Sequence, residues 1–198
     1  MASIDLVATE DNYMKSWLPT TNAGSEDLFA CGEYNTQTNY IARSLLKFDF
    51  SSLGSVVVTS ASLKMVVAYS YSSNTRTMYV LRCTKDWDEL QSTWNVYSTG
   101  NSWTSPGGDW DGVTPIGTVT TSSPPQGTLV TTTLSTSIIE NMINGSVPNY
   151  GFVLTKDTEL NDCTVFWGRT YATTGSRPIL SLEYTPLGRI FQSVFIGM

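Results

Sequence analysis

The sequence predicts an all-β fold: a jelly-roll-like, two-sheet antiparallel sandwich with one short helix over about residues 136–144. Three observations predict it. Thr and Ser account for 52 of the 198 residues while Asp, Glu, Lys and Arg together make up only 14%, a composition that suits pleated strands better than helices. About ten short strand-like segments follow one another, at 4–8, 28–31, 44–49, 62–71, 78–84, 113–120, 127–133, 151–155, 164–169 and 179–184. Dense turn clusters punctuate them, at 21–25, 105–109 and 122–125.

Alternation justifies individual strands. Leu63, Met65 and Val67 fall on one side of their strand and Lys64 and Val66 on the other, as a sheet with one buried face requires. In 45–48, Leu46 and Phe48 share one face, Leu45 and Lys47 the other, and the bracketing Arg43 and Asp49 are expected to pair or to cap turns. Met78, Val80 and Arg82 oppose Tyr79, Leu81 and Cys83, so both faces of that strand should be partly covered. The helix rests on Ile138, Ile139, Met142 and Ile143, with capping oxygens in Ser135-Thr136-Ser137 and a stop at Asn144-Gly145. Asn144-Gly145-Ser146 also fits a glycosylation sequon but is read as that stop.

Charge and residue counts exclude function classes. The net charge is −6 with no basic stripe, which argues against nucleic acid as a partner. No run of about 18 apolar residues exists, so no membrane helix is expected. The chain has no His, which removes Ser-His and Cys-His nucleophilic sites and imidazole-ligated zinc. Cys31, Cys83 and Cys163 match no metal spacing and are expected to be buried thiols. Asp86, Asp88, Glu89, Asp109 and Asp111 could in principle pair for glycoside hydrolysis, yet loop carboxylates are ordinarily just solvated, and no enzyme is expected.

Several pieces occur in a telling order: Asp11-Asn12-Tyr13, Thr21-Asn22-Ala23-Gly24-Ser25, Arg43-Ser44-Leu45-Leu46-Lys47-Phe48-Asp49, Trp87-Asp88-Glu89, Thr93-Trp94-Asn95, Trp103-Thr104-Ser105-Pro106-Gly107-Gly108-Asp109, Pro148-Asn149-Tyr150-Gly151-Phe152 and Arg177-Pro178-Ile179-Leu180. Over about residues 5–185 this set resembles a DNRLRE domain, a β-jelly-roll module often appended to extracellular proteins of bacteria and archaea. Such modules are similar to a carbohydrate-binding family whose known ligand is alginate. The resemblance implies a site of aromatic stacking and polar contacts. Trp103, Trp110 and Arg43 are the candidate glycan contacts, with Arg82, Arg169 and Arg177 as further cations for an anionic sugar. Trp87 and Trp94 read instead as core or loop anchors. A structural calcium ion is a candidate cofactor, at Asp109 and Asp111 or at Asp11 and Asn22, since a hard cation wants six to eight oxygens.

The carboxyl-terminal end suggests a different role. Pro186 should break the last ladder, separating a 1–185 domain from an apolar 186–198 tail. Leu187, Ile190, Phe191, Val194, Phe195 and Ile196 would then either fold back over their own sandwich or, the reading favoured, dock on a neighbouring subunit. The amino terminus shows no basic segment followed by an apolar stretch, so manufacture in a cytoplasm is expected. Together these features favour a non-enzymatic assembly protein. It would be a phage virion component such as a capsid decoration (cement) protein or tail-fibre module, homo-oligomeric or docked on other virion subunits. The alternative is an extracellular module that recognises a polysaccharide by aromatic stacking, with or without calcium.

Overall fold

The computed structural model describes residues 1–34, 38–71, 74–112 and 114–188. Among the described residues, thirteen strands, one α-helix and a short 3-10 turn run in the order β1 (Ala2–Val7), β2 (Glu10–Lys15), β3 (Leu28–Glu33), β4 (Ile41–Lys47), β5 (Val56–Tyr71), β6 (Thr75–Arg82), β7 (Val96–Ser98), β8 (Asn101–Ser102), β9 (Gly117–Ser122), β10 (Leu129–Thr133), α1 (Thr136–Ile143), β11 (Phe152–Lys156), β12 (Cys163–Trp167), the 3-10 turn (Thr174–Ser176) and β13 (Ile179–Pro186). All pairings are antiparallel, and the all-β sandwich expected from the sequence is the fold observed.

β5 organises the architecture. Its amino-terminal part pairs with β13, which carries β1 on its far side, and with β10. Its last residues, Val67 to Tyr71, pair instead with β12. From β12 the second sheet continues through β3, β4, β11, β6 and β9, with β2 also on β4. One long strand thus serves both layers, as curled antiparallel sandwiches allow. The main core lies between them and holds Phe29, Leu46, Phe48, Leu63, Phe152 and Phe166. Leu63, Met65 and Val67 are buried while Lys64 and Val66 are half-buried, as their alternation predicts.

The second sheet is covered on its outer face as well. There Met14, Leu45, Leu81, Cys83 and Val153 form a separate cluster with Trp87 and Trp103. Met14, Leu45, Leu81 and Val153 are alternate residues of β2, β4, β6 and β11, so one sheet feeds two cores. The cover is the segment 84–112, whose ribbon β7–β8 and loops fold back over the sheet. At about 25 cal/mol per Å², each buried tryptophan contributes about 4–6 kcal/mol of gross stabilisation to this cover before chain ordering is counted.

Three details differ from the sequence expectation. β2 went unpredicted, because Asp11, Asn12 and Lys15 interrupt its apolar pattern although all three are buried. Ser135 sits at the helix N-cap, but its side chain makes no capping bond; its hydroxyl lies 3.1 Å from that of Ser137 instead. At the other end Asn144 does stop the helix, and its amide exchanges two 2.9 Å bonds with the backbone of Val56. Pro186 does not break the ladder: it pairs opposite Val56, and Leu187 N–H still donates to Ser55 O at 2.9 Å. Since Leu187 N–H points at β5, the ring nitrogen of Pro186 points away from it, past the start of β1, where no donor is needed. Leu187, half-exposed, is the only docking-tail candidate within the described residues; Ile190, Phe191, Val194, Phe195 and Ile196 lie outside them, as does Val113 of the expected 113–120 strand.

Candidate functional site

Strand pleating sets out the floor of the candidate site. Arg43 on β4, Tyr79 and Leu81 on β6 and Thr155 on β11 share the outer face of the second sheet, and the cover segment ends beside them at Trp110. Together with Glu159 they line a cleft of about 250 Å³. Trp110 also borders an adjoining concavity of about 370 Å³, walled by Lys85, Thr104, Ser105 and Asp109. A half-buried indole therefore borders both lobes.

The loop is brought down onto the sheet by Gly107 and Gly108, whose φ angles are +94° and +112°. A β-carbon on Gly107 would lie 2.7 Å from Arg43 Nη1 and 2.8 Å from the Trp94 ring. Only glycine allows that backbone and that approach. The Gly107 carbonyl accepts from Arg43 Nη1 at 3.3 Å, and Gly107 N–H donates to Trp94 O at 2.7 Å. The guanidinium then lies 5.1 Å from the Trp94 ring centre and 5.3 Å from that of Trp110. Its remaining donors form a bidentate pair with Glu159, Nε to Oε1 and Nη2 to Oε2, both 2.8 Å. Beneath the cleft, Lys156 is buried and pairs with Asp162 and Thr164.

Of the expected glycan contacts, the structure brings Arg43 and Trp110 together and separates Trp103 from them. Trp103 is 4% exposed, donates its indole N–H to Thr93 O at 2.8 Å and packs on Tyr97, so its ring faces protein and it anchors the cover. Trp87 is likewise buried, with its N–H on Tyr150 O at 2.8 Å, as expected for an anchor. Tyr79, Thr155 and Glu159 were not foreseen. The outward phase of Tyr79 with Leu81 was the one available signal, and nothing local marked Glu159, 116 residues from its partner.

The cation candidates are engaged otherwise. Asp109 accepts from the Thr104 and Ser105 N–H groups at 2.8 and 3.4 Å, closing the turn, and Asp111 accepts from Arg82 at 2.6 Å. Asp88 similarly caps Leu90 N–H at 2.9 Å. Asn22 donates to the carbonyls of Glu89 and Ser92, both at 2.7 Å, and accepts from Gly24 N–H. Asp11, 2% exposed, accepts from Arg169 N–H at 2.6 Å while its own N–H donates to Glu89 Oε1 at 2.8 Å. Burial pushes the Asp11 carboxyl up to about 6. Arg169 in turn forms a two-point pair with Glu89. These residues tie β2, the 22–24 turn and the cover segment into one buried polar network. Among the described residues no group of three or more Cys, Asp or Glu side chains converges as a cation cage.

The three cysteines are free and buried, and burial raises all three thiols, Cys83 to about 11 and Cys163 to about 12.

No curated protein matches the chain. A family model does, over residues 2–110, which span β1–β8 and the cover segment as far as Trp110, and include Arg43 and Trp94 but not Thr155 or Glu159. That stretch is more than half of the sequence, and with its β-sandwich fold the chain belongs to carbohydrate-binding module family 96.

Proposed function

We propose that this protein is a non-catalytic polysaccharide-binding module whose ligand crosses the outer face of the second sheet and stacks on Trp110. The observation that carries this reading is the position of Trp110 between two adjoining lobes, beside Arg43 and Tyr79. The C–H face of a pyranose lies well against a flat, partly exposed indole, and hydroxyls on either side can reach polar groups of both lobes. Family membership supports a carbohydrate ligand over the assembly role expected from the apolar tail. The carboxylates considered for hydrolysis are occupied as turn caps and ion-pair partners, which suits binding without catalysis.

Affinity electrophoresis through gels containing polysaccharides tests the reading. Retardation by at least one polymer is expected, and Trp110→Ala should weaken it by about tenfold to a hundredfold, the loss usual for a central tryptophan contact. Equal retardation of the Trp110→Ala variant would overturn the placement.

A further inference from the structure

We infer that the site reads a run of about three linked sugars laid across Trp110, and that Lys85 is the specificity-determining residue of its second lobe, donating from its ammonium to an acceptor oxygen of the chain. This rests on the site assignment above and concerns how much of the chain is read, and by which residue.

The two lobes meet at Trp110. The first, of about 250 Å³, is walled by Arg43, Tyr79, Thr155 and Glu159, and the second, of about 370 Å³, by Lys85, Thr104, Ser105 and Asp109. Among the described residues, Trp110 alone lines both. Ligand pockets run to about 300–1,000 Å³, so each lobe is small and has room for about one or two sugar rings. A chain that enters both must cross the indole, so the stacked ring is bonded to a neighbour in each lobe.

Lys85 is the cation of the second lobe with donors to give. Lys15, Lys47 and Lys156 are hydrogen-bonded to carboxylates. Lys85 makes no hydrogen bond with a described residue; its Nζ lies 3.9 Å from Asp109 Oδ2 and 5.8 Å from the centre of the Tyr97 ring. The Asp109 carboxylate is turned to the Thr104 and Ser105 N–H groups, at 2.8 and 3.4 Å. The backbone beneath is fixed, since Thr84 N–H donates to Asp109 O at 3.1 Å and Cys83 Sγ to Lys85 O at 3.4 Å. The ammonium is therefore held near a charge and a ring while its hydrogens stay unspent, on a side chain 36% exposed. An ammonium only donates, so its complement is an acceptor, a carboxylate or hydroxyl oxygen of the sugar, and the bond is charge-assisted. In the first lobe Arg43 keeps N–H groups beyond those given to Glu159 and Gly107, beside the Tyr79 and Thr155 hydroxyls. A chain thus meets polar partners in each lobe.

Calorimetry with oligomers of about two to six sugars, from alginate and from a β-glucan, tests this on wild type, Lys85→Met, Lys85→Arg and Trp110→Ala. Wild-type affinity for at least one series is expected to rise at least about tenfold from the dimer to the tetramer. Lys85→Met should lose about fivefold to tenfold on the tetramer but less than about twofold on the dimer, which can sit on Trp110 and the first lobe alone. Lys85→Arg, which keeps a cationic donor, should stay within about threefold of wild type at every length. Trp110→Ala should weaken all lengths. A Lys85→Met loss on alginate oligomers that shrinks between about 0.05 and about 0.5 M NaCl marks a carboxylate as the acceptor, and a salt-independent loss on glucan oligomers marks a hydroxyl. No loss in Lys85→Met, or an equal loss at every length as a merely structural role would give, overturns the assignment of Lys85. Affinity that does not grow beyond the dimer overturns the span, while the site assignment, read by Trp110→Ala, stands. Failure of both series to bind overturns the inference, and it reaches the site assignment only if no polymer retards the chain in gels.

Discussion

Gly107 lies so close to the Arg43 guanidinium that a β-carbon there would stand only 2.7 Å from Nη1, while its carbonyl accepts from the same nitrogen at 3.3 Å. We predict that Gly107→Ala destabilises the protein by about 1–3 kcal/mol, through strain at a φ of +94° and the clash with Arg43 and Trp94. Urea denaturation measures this. The same variant should lose polysaccharide retention, because the loop that carries Trp110 can no longer seat. Wild-type stability in Gly107→Ala would show that the loop yields easily.

Asp11 predicts a pH dependence. Its carboxyl is raised from 3.8 to about 6, chiefly by burial and against the opposing Arg169 N–H bond. The folded state therefore binds this proton more tightly than the unfolded state. The contribution is fully present below about pH 4 and is lost as the pH rises through about 6, amounting to about 3 kcal/mol. Asp11→Asn removes that titration while keeping an acceptor for Arg169. The difference between wild-type and variant stability, from urea melts across that window, should change in wild type's disfavour as pH rises. A flat difference would contradict it.

Lys156 and Asp162 are both nearly inaccessible, at 5% and 2% exposure. Lys156→Leu should cost about 3–5 kcal/mol, since it strands the Asp162 carboxylate without its cation. Adding Asp162→Leu should recover much of that loss. A double-mutant cycle by chemical denaturation measures the coupling, and additive losses would show that the pair does not act as a unit.

The buried thiols of Cys31, Cys83 and Cys163 should resist alkylation in the native protein at about pH 8, because both access and thiolate fraction are low. After unfolding in guanidinium, all three should be modified, as mass spectrometry would count. Rapid labelling of the folded chain would mean that the strands holding them open readily.

Local pattern carried much of the architecture. The alternation in β5 and β6, the turn clusters and the Ile138–Met142 spacing all report one-residue-at-a-time preferences for burial, and each element they indicate is present. The two-sided burial of β6 was legible too, because Tyr79, Leu81 and Cys83 are apolar in the phase opposite to Met78 and Val80. What local pattern cannot express is a polar residue satisfied from far away. β2 escaped notice because Asn12 is bonded to Ser92, 80 residues on, and Asp11 to Arg169, 158 residues on.

The same limit applies to the site. By itself the sequence determined an all-β chain without histidine chemistry, with tryptophans and a Gly-Gly turn clustered near residue 107. It could not distinguish Trp103 from Trp110, since both flank that turn in similar company. Tertiary structure decided it: long-range packing buries the first ring against Thr93 and Tyr97 and leaves the second at the mouth of a cleft. The partner of Arg43 was likewise decided only by folding, which sets Glu159 against it, since the energy of an ion pair depends on distance in space and not on distance along the chain.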